Sequence, residues 1–397
     1  MEPRPTVKLR PGKGRRLAEG APWVYADEIA MDRRTRSIAP GSLARLMHGE
    51  EVLGLAAVNP ASTLAARLLD PDAEADIDRS WFAARLERAQ ALRDALFETP
   101  HYRLVHAEGD GLPGLVIDRF GDALVIQPNA AWVDARLEAL IEAAAALPGV
   151  AHIVVNATAR VRRLEGLEER LEVVRGSILA PLEVPMNGAL YLADLLGGQK
   201  TGLFYDQRAN HAFASRLASG RAVLDVFTHV GGFGLAALAG GARSVVAVDS
   251  SAPALALAEE AARRMGVAAH LSTRRSDAFD ALSAAAAAGE RYGLVVCDPP
   301  AFAPNRSALE AGLRAYEKTA RLAAPLVADE GGWLVLCSCS GAASPEAFRE
   351  ASVRGLRAAG RSGALVHSGR AGPDHPQHMA LPETGYLKAL FFRLESR

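Results

Sequence analysis

The fold of this chain is decided by residues 223–249, which read VLDVFTHVGGFGLAALAGGARSVVAVD. An apolar β-type run ends near the acid Asp225, and a glycine-rich turn and an apolar helical stretch follow it. A second β-type run then ends in Asp249. This pattern is typical of a βαβ unit that holds a small adenosine-bearing ligand against its glycine turn.

Length and composition narrow the class of protein. The 397 residues predict more than one domain, and 49% hydrophobic with 23% charged residues is ordinary for a globular protein. The net charge of -1 means that any nucleic-acid binding must come from local patches. The three cysteines, Cys297, Cys337 and Cys339, are too few for a disulfide framework or a four-cysteine zinc site, and we expect no metal. With no apolar signal core and no uncharged run of membrane-spanning length, we expect a cytoplasmic protein that does not bind membranes.

The first 180 residues divide into two patterns. Short β-type runs bounded by Gly, Pro and Asn predict a small β-barrel over residues 1–72. Its basic side chains between residues 4 and 16, with no acid among them, are either a solvated surface or a phosphate-binding feature. Residues 73–180 predict a helix over about 78–98, a hairpin of 115–117 with 124–126, a helix over about 132–147 and a strand at 152–155. This small α+β layer has no catalytic constellation, which favours a spacer role.

From about residue 181 strand and helix signals alternate, which predicts an α/β fold with a parallel sheet covered on both faces. The two β-type runs nearest the C-terminus allow an antiparallel hairpin at the sheet edge. Strands are expected near 222–227, 244–249, 268–273, 293–298, 332–338, 363–368 and 386–393.

The glycine turn does not have the G-x-G-x-x-G spacing of a dinucleotide site, so NAD is disfavoured. Acids follow successive strands instead: Asp249 is placed to accept the ribose hydroxyls, and Asp277 to reach an adenine amino group. S-adenosylmethionine fits these acids, because it carries a sulfonium charge and no phosphate. The alternative is that Asp249 and Asp277 cap helices. The predicted cofactor-binding residues are Asp225, Phe227, Gly231, Gly232, Asp249, Ser250, Asp277 and Asp298.

The fourth strand ends in the stiff turn DPPAF at residues 298–302. Two prolines restrict the backbone, and Pro299 and Phe302 are predicted substrate contacts, with Phe302 stacking on an unstacked nucleobase. The alternative is a structural turn with Phe302 in the core. The turn is found in enzymes that methylate bases, including exocyclic amines, so it indicates a nucleobase without choosing the atom.

The fifth strand ends in the run CSCSG at residues 337–341. Ligands of such sheets lie at the carboxyl ends of the strands, so Cys339 is the cysteine nearest the cleft. Thiolate attack at carbon 6 of a pyrimidine makes carbon 5 nucleophilic enough to accept a methyl group. We predict Cys339 as nucleophile and Asp298 as the acid at ring N3. Cys297 and Cys337 are expected to be buried and structural.

Taken together, these motifs resemble the RlmI-type family of S-adenosylmethionine-dependent 23S rRNA 5-methylcytosine methyltransferases, over nearly the whole length of the chain. The matching segments are LRPG at 9–12, GAPWVY at 20–25, DGLPGLVIDR at 110–119, QKTGLFYDQR at 199–208, DPP at 298–300, SCSG at 338–341 and DHP at 374–376.

The resemblance implies three domains: a PUA-like RNA-binding barrel (1–72), a central α+β domain (73–180) and a Rossmann-like class I methyltransferase domain (181–397). It implies large-subunit ribosomal RNA as partner, makes the N-terminal basic run an RNA-binding feature, and makes Lys200 and Arg208 candidate substrate contacts. Further phosphate contacts are expected from arginines at 160, 162 and 163. The oligomeric state, a homodimer included, stays open.

Two departures from the family leave the exact substrate open: His229 lies in the glycine turn, and Ala301 replaces a common lysine. One alternative is therefore a guanine N-methyltransferase on the same fold that uses no thiol nucleophile. A second is a PUA-containing RNA-binding protein whose methyltransferase domain is inert. An NAD-dependent oxidoreductase is a third, weaker alternative.

Overall fold

The computed structural model describes residues 4–198 and 202–396, so the predicted contact Lys200 lies outside the described residues. The chain forms two compact units. The first contains residues 4–180 and Pro373–Thr384. The second contains Pro181–Gly198, Gly202–Gly372 and residues 385–396. The domain boundaries at 72 and 180 stay predictions.

The N-terminal part of the first unit is a five-stranded sheet in the order β1-β3-β4-β5-β2. All pairs are antiparallel except β1 with β3, and inward side chains such as Val7, Val24 and Leu46 are fully buried. The elements are β1 (Thr6–Lys8), α1 (Arg15–Ala18), β2 (Trp23–Tyr25), α2 (Arg33–Arg36), β3 (Ser42–His48), β4 (Glu51–Val58) and β5 (Leu64–Asp70).

The central part contains a second five-stranded sheet, β10-β9-β8-β7-β6, in which only β8 and β9 run parallel. The predicted hairpin is present as β7 and β8, whereas the helix predicted over 132–147 is broken into two near Arg136. Phe82 and Trp132 stack in its core with ring centroids 6.0 Å apart. The elements are α3 (Arg79–Asp94), β6 (His101–His106), β7 (Leu115–Phe120), β8 (Ala123–Pro128), α4 (Ala131–Asp134), α5 (Leu137–Ala145), β9 (His152–Ala157) and β10 (Arg170–Arg175).

The DHP motif noted in the sequence belongs to a C-terminal segment of the first unit. Asp374 is fully buried there, and its carboxylate accepts a hydrogen bond from the backbone N–H of Arg103 at 3.0 Å. Its carbonyl accepts a bond from the buried guanidinium of Arg93 at 2.8 Å. The motif therefore anchors Pro373–Thr384 within this unit.

The second unit is built on a seven-stranded sheet in the order β15-β14-β13-β16-β17-β19-β18. The predicted parallel sheet and its antiparallel edge hairpin are confirmed, since β19 is antiparallel to both β17 and β18. The strands are β11 (Leu182–Met186) and β12 (Ala189–Ala193), which form a separate hairpin, then β13 (Ala222–Val226), β14 (Ser244–Asp249), β15 (Leu271–Arg275), β16 (Leu294–Cys297), β17 (Gly332–Ser338), β18 (Gly363–Gly369) and β19 (Lys388–Leu394).

Helices connect the parallel strands of this sheet, and side-chain caps begin three of them. Ser251, Asp277 and Ser344 each accept a hydrogen bond from a backbone N–H of the first turn. The helices are α6 (Arg208–Ala218), α7 (Gly232–Ala239), α8 (Ala252–Arg264), α9 (Ala278–Ala287), α10 (Leu309–Ala323) and α11 (Pro345–Ala358). The segments after β13 to β17 therefore meet along one edge of the sheet. Among the described residues, none of the helices is long and apolar enough to cross a lipid bilayer.

Glu165 tests the contribution of a buried charge to the first unit. Its carboxylate is 2% exposed and binds the guanidinium of Arg67 at 2.8 Å. Glu165→Ala leaves that guanidinium buried without a counter-charge, so we expect a loss of about 3–5 kcal/mol in the free energy of unfolding. Denaturant unfolding followed by tryptophan fluorescence measures it.

The control is Glu169→Ala, which removes the partner of the exposed Arg163. Because an exposed ion pair contributes little, we expect a change below about 1 kcal/mol. Equal shifts of the unfolding midpoint in the two variants would contradict the expectation for Glu165.

Candidate active site

The glycine turn is organised by the buried carboxylate of Asp225, the last but one residue of strand β13. Its Oδ2 atom accepts hydrogen bonds from the Thr228 hydroxyl and from the Gly234 N–H, the latter at 2.7 Å. Its Oδ1 atom is buried with no hydrogen-bond partner. Burial therefore raises the pKa of Asp225 to about 7. These contacts make Asp225 a support of the turn, and its direct contact with a cofactor stays a prediction.

The turn that follows has an unusual backbone. Phe227 and His229 have φ angles of 64° and 53°, in the left-handed region that non-glycine residues rarely adopt. The N–H of His229 donates to Asp249 Oδ2 at 2.9 Å, and its ring lies 5.0 Å from that of Phe204. His229 thus connects the first strand end to the second. Strained backbone of this kind is often found at functional sites.

The surroundings of the predicted glycines leave little room for a side chain. Gly231 has a φ of 89°, and a Cβ there would lie 2.8 Å from the Leu235 side chain. A Cβ on Gly232 would lie 3.0 Å from His211 Nε2. His211 is buried against Phe233, and its burial lowers the pKa of the imidazole to about 3. His211 was not predicted from the sequence, because no local pattern connects it to the turn.

The strand-end acids fit an adenosyl ligand with a positive charge. Asp249 is partly exposed, and each of its oxygens accepts one backbone N–H, from His229 and Ser251. A carboxylate has about four acceptor positions, so others stay available for ribose hydroxyls. Asp277 is exposed and caps α9 through Oδ1, as the alternative proposed, while Oδ2 forms no hydrogen bond with described residues. Ser250 is exposed beside Asp249.

Asp298 lies after β16 and is held by residues that the sequence analysis did not identify. Its Oδ1 atom accepts a hydrogen bond from Gln207 Nε2 at 2.9 Å, and Gln207 in turn accepts one from Asn210 at 2.6 Å. Arg208, the predicted substrate contact, directly follows Gln207, and its guanidinium lies 5.4 Å from the Tyr205 ring centroid. The segment before α6, which contains Gln207, therefore contacts Asp298. The sequence pointed to this segment only through its resemblance to the family.

Phe302 belongs to an aromatic cluster. Its ring centroid lies 5.0 Å from that of Tyr316 and 6.2 Å from that of Phe279, and it packs on the core below the sheet edge. Pro299 is buried. These contacts favour the structural alternative for both residues, and their contact with a nucleobase stays a prediction.

Cys339 is the exposed centre of a tightly held turn. It is partly exposed, whereas its neighbours Ser338 and Ser340 are fully buried. The Tyr316 hydroxyl is 2.7 Å from Ser340 Oγ and accepts from Ser338 Oγ at 2.9 Å. Ser340 Oγ also accepts from the N–H of Ala303 at 2.9 Å, which joins this turn to the segment after Asp298. The two predicted catalytic motifs are therefore held together.

The other two cysteines are fully buried, and desolvation is the largest cause that raises the pKa of each thiol. Nearby carboxylates, Asp225 for Cys297 and Asp298 for Cys337, raise it further. Both thiols are therefore inert at neutral pH, which agrees with the structural role expected for them.

One further side chain reaches the cysteine turn. Lys388 begins β19 opposite Ser338, and its Nζ atom donates to the carbonyls of Ser340 at 2.6 Å and Ala343 at 2.8 Å. It is 6% exposed. No sequence motif surrounds Lys388, and it lies far along the chain from Cys339, so no local pattern connects the two residues.

The basic residues of the first unit differ from expectation. Arg162 is fully buried and binds the carbonyls of Pro128 and Glu168, so the expected phosphate contact is wrong. Most of the N-terminal run forms ion pairs with acids elsewhere, including Arg4 with Asp76. In contrast, three exposed arginines of α2 form no ion pair within the described chain: Arg33, Arg34 and Arg36.

A seven-stranded sheet of this order, with a glycine turn after its first strand and acids at the next strand ends, defines a class I S-adenosylmethionine-dependent methyltransferase fold. Family models agree: residues 130–393 match S-adenosylmethionine-dependent methyltransferases, and residues 7–71 match the PUA-like domain.

Relatives extend over the whole chain. "Ribosomal RNA large subunit methyltransferase I" of Shewanella denitrificans is 34% identical, covering 98% of this chain and 99% of that protein. "Ribosomal RNA large subunit methyltransferase" of Deinococcus radiodurans is 36% identical, covering 98% of each. A crystal structure of a methyltransferase complexed with S-adenosylhomocysteine has a TM-score of 0.84 at 19% identity, covering 98% of this chain and 100% of that one. The chain belongs to the S-adenosylmethionine-dependent methyltransferase family that contains these ribosomal RNA large subunit methyltransferases.

Asp225 predicts a specific pH dependence of stability. Its pKa in the folded chain, about 7, lies above the value near 3.8 of an unfolded chain. Between those values the folded state binds more protons, so this residue makes stability fall as pH rises from 4 to 7. The slope is at most about 1.4 kcal/mol per pH unit.

Asp225→Asn removes that titration, and the variant should lose less stability than the unaltered protein between pH 5 and pH 7. Urea unfolding at three pH values measures the difference between the two slopes. Parallel pH profiles of the two proteins would show that Asp225 titrates normally in the folded state.

Proposed function

We propose that this protein transfers a methyl group from S-adenosylmethionine to carbon 5 of a cytosine in large-subunit ribosomal RNA, through a covalent bond to Cys339. Two full-length relatives that are named as large-subunit ribosomal RNA methyltransferases support the RNA class. The observation that carries the chemistry is the position of Cys339, partly exposed in a fixed turn beside the Asp298 segment. Ribosomal RNA as substrate also favours the cytoplasm as the place of action.

The chain supplies the nucleophile and its partner acid. The Cys339 thiolate forms a bond to carbon 6 of the ring, and the electron pair moves toward carbon 5 and N3. Asp298, held by Gln207, donates or shares a proton at N3. S-adenosylmethionine, when bound, supplies an electrophilic methyl group on its sulfonium. After transfer, a base takes the proton from carbon 5, the sulfur–carbon 6 bond breaks to restore the thiolate, and N3 returns its proton to Asp298.

For the cofactor, we propose hydrogen bonds from the ribose hydroxyls to Asp249 and from the adenine amino group to Asp277, along the glycine turn. The target base must leave its stack to reach Cys339. Phosphates in the RNA would be held by basic side chains of the first unit. The unpaired arginines of α2, Arg33, Arg34 and Arg36, support this more strongly than the N-terminal run, whose charges are largely compensated.

Cys339→Ala tests the reaction. We expect 5-methylcytidine formation to fall at least about a thousandfold, because the ring loses its nucleophile while carbon 5 alone is unreactive. Mass spectrometry of nucleosides from methylated large-subunit RNA measures the product. Equilibrium dialysis with S-adenosylmethionine checks that the variant still binds the cofactor.

Cys297→Ala is the matched control, since this cysteine is fully buried and should leave the product yield within about twofold. Undiminished RNA methylation by Cys339→Ala, with methylguanosine as product, would instead establish guanine N-methylation on the same fold.

Asp249→Asn tests the cofactor site. The amide keeps the shape of the side chain but loses acceptor capacity and charge, so we expect S-adenosylmethionine to bind about ten- to a hundredfold more weakly. Asp280→Asn, an exposed acid in the first turn of α9, is the control and should bind normally. Equal affinity of Asp249→Asn and the unaltered protein would show that Asp249 does not bind the cofactor. No binding of millimolar S-adenosylmethionine by the unaltered protein would favour an RNA-binding protein whose methyltransferase domain is inert.

A further inference from the structure

Lys388 is a buried cation for which the described residues provide no carboxylate partner. Its side chain begins β19 and is 6% exposed, and both hydrogen bonds of its Nζ atom go to neutral carbonyls, those of Ser340 and Ala343. An ammonium group has three donors, and burying it without an opposite charge is costly. A buried lysine with carbonyl partners alone therefore calls for a counter-ion.

The cysteine turn supplies the candidate. Both carbonyls that Lys388 binds belong to the segment directly after Cys339, and Lys388 is opposite Ser338, the residue directly before it. The ammonium is thus bound to the turn that presents the thiol. Burial lowers the pKa of Lys388 to about 8, and the charge of Cys339 acts in the opposite direction and raises it.

Two other ionisable groups near this turn, Tyr316 and Asp298, do not provide a positive charge. Tyr316 on α10 is buried, its pKa is raised mainly by burial, and its hydroxyl is held by Ser338 and Ser340, so it stays neutral. Asp298, which follows β16, is acidic and helps to raise the pKa of Cys337, the buried thiol of β17. Lys388, by contrast, is a cation whose charge interacts with that of Cys339, and it favours a thiolate there.

We propose that Lys388 is a positioning residue that acts through Cys339: its ammonium is the counter-ion that keeps the thiol ionised and its two hydrogen bonds fix the turn. This inference rests on the proposed function, in which Cys339 is the nucleophile. Electrostatic coupling is reciprocal, so the ammonium lowers the pKa of the thiol by as much as the thiolate raises that of the ammonium.

The first test is the pH profile of Cys339 alkylation by iodoacetamide, read by mass spectrometry of the peptide that contains it. Lys388→Gln keeps a hydrogen-bond donor and removes the charge, and we expect the thiol pKa to rise by about one unit or more. Lys388→Arg keeps the charge and should restore a profile close to that of the unaltered protein. Lys318→Met removes an exposed lysine of α10 and should not change the profile.

A structural role alone predicts a different result. If Lys388 only held the two carbonyls, Lys388→Gln would leave the alkylation midpoint where it is in the unaltered protein. An unchanged midpoint, or equal shifts in the glutamine and arginine variants, would overturn the proposal.

The reciprocal test uses Cys339→Ser, a small change that leaves Lys388 unaltered. It can therefore be carried out even if the Lys388 variants do not fold. The chain has five lysines, so ¹³C-lysine NMR resolves their titrations. We expect the Lys388 pKa to fall in Cys339→Ser by about the same amount as the thiol pKa rises in Lys388→Gln, and an unchanged Lys388 titration would overturn the proposal. Neither titration involves RNA. Continued RNA methylation by Cys339→Ala would therefore refute the proposed function, whereas the coupling of Lys388 and Cys339 is tested separately by the two titrations.

Discussion

The buried carboxylate of Asp225 is the interaction on which the rest of the second unit depends. It is placed at the end of the central strand β13, where it binds Thr228 and the Gly234 N–H and so shapes the turn from strand to helix. Within this turn, the His229 N–H donates a hydrogen bond to Asp249 at the end of the adjacent strand, β14. A single desolvated acid therefore fixes the geometry of two neighbouring strand ends, at a cost in charge solvation that its raised pKa of about 7 records.

A second layer of the same kind holds the cysteine turn. The hydroxyls of Ser338, Tyr316 and Ser340 hydrogen-bond in sequence and then bind the Ala303 N–H, so strand β17, helix α10 and the segment after β16 share one buried polar chain. Such chains restrict side-chain and backbone motion when every member is satisfied. Because the flanking serines are immobilised, Cys339 has little freedom except in the direction in which it is exposed.

The sequence predicted the parts of this arrangement that are local. Hydrophobic periodicity and strand-ending acids gave the parallel sheet, the edge hairpin and the positions of Asp249, Asp298 and Cys339 along one edge. Long-range partners left no such pattern: Gln207 reaches Asp298 across 91 positions of the chain. Charge patterns also mislead where burial decides, since Arg162 has the same sequence signature as a surface arginine but is buried against carbonyls and the Asp134 carboxylate.

The acids that suit a cationic cofactor create a problem for a thiol nucleophile at the same edge. Carboxylates at Asp225 and Asp298 add to burial in raising the pKa of Cys297 and Cys337, so the acids of this edge disfavour a thiolate at those two cysteines. A protein that needs both the acids and a thiolate must either separate the two or place a cation beside the sulfur. Here the antiparallel strand β19, which pairs with β17, provides the cation. Its first residue, Lys388, lies against the turn that follows β17. The one departure of the sheet from parallel order thus delivers a positive charge to the place where the acids would otherwise suppress reactivity.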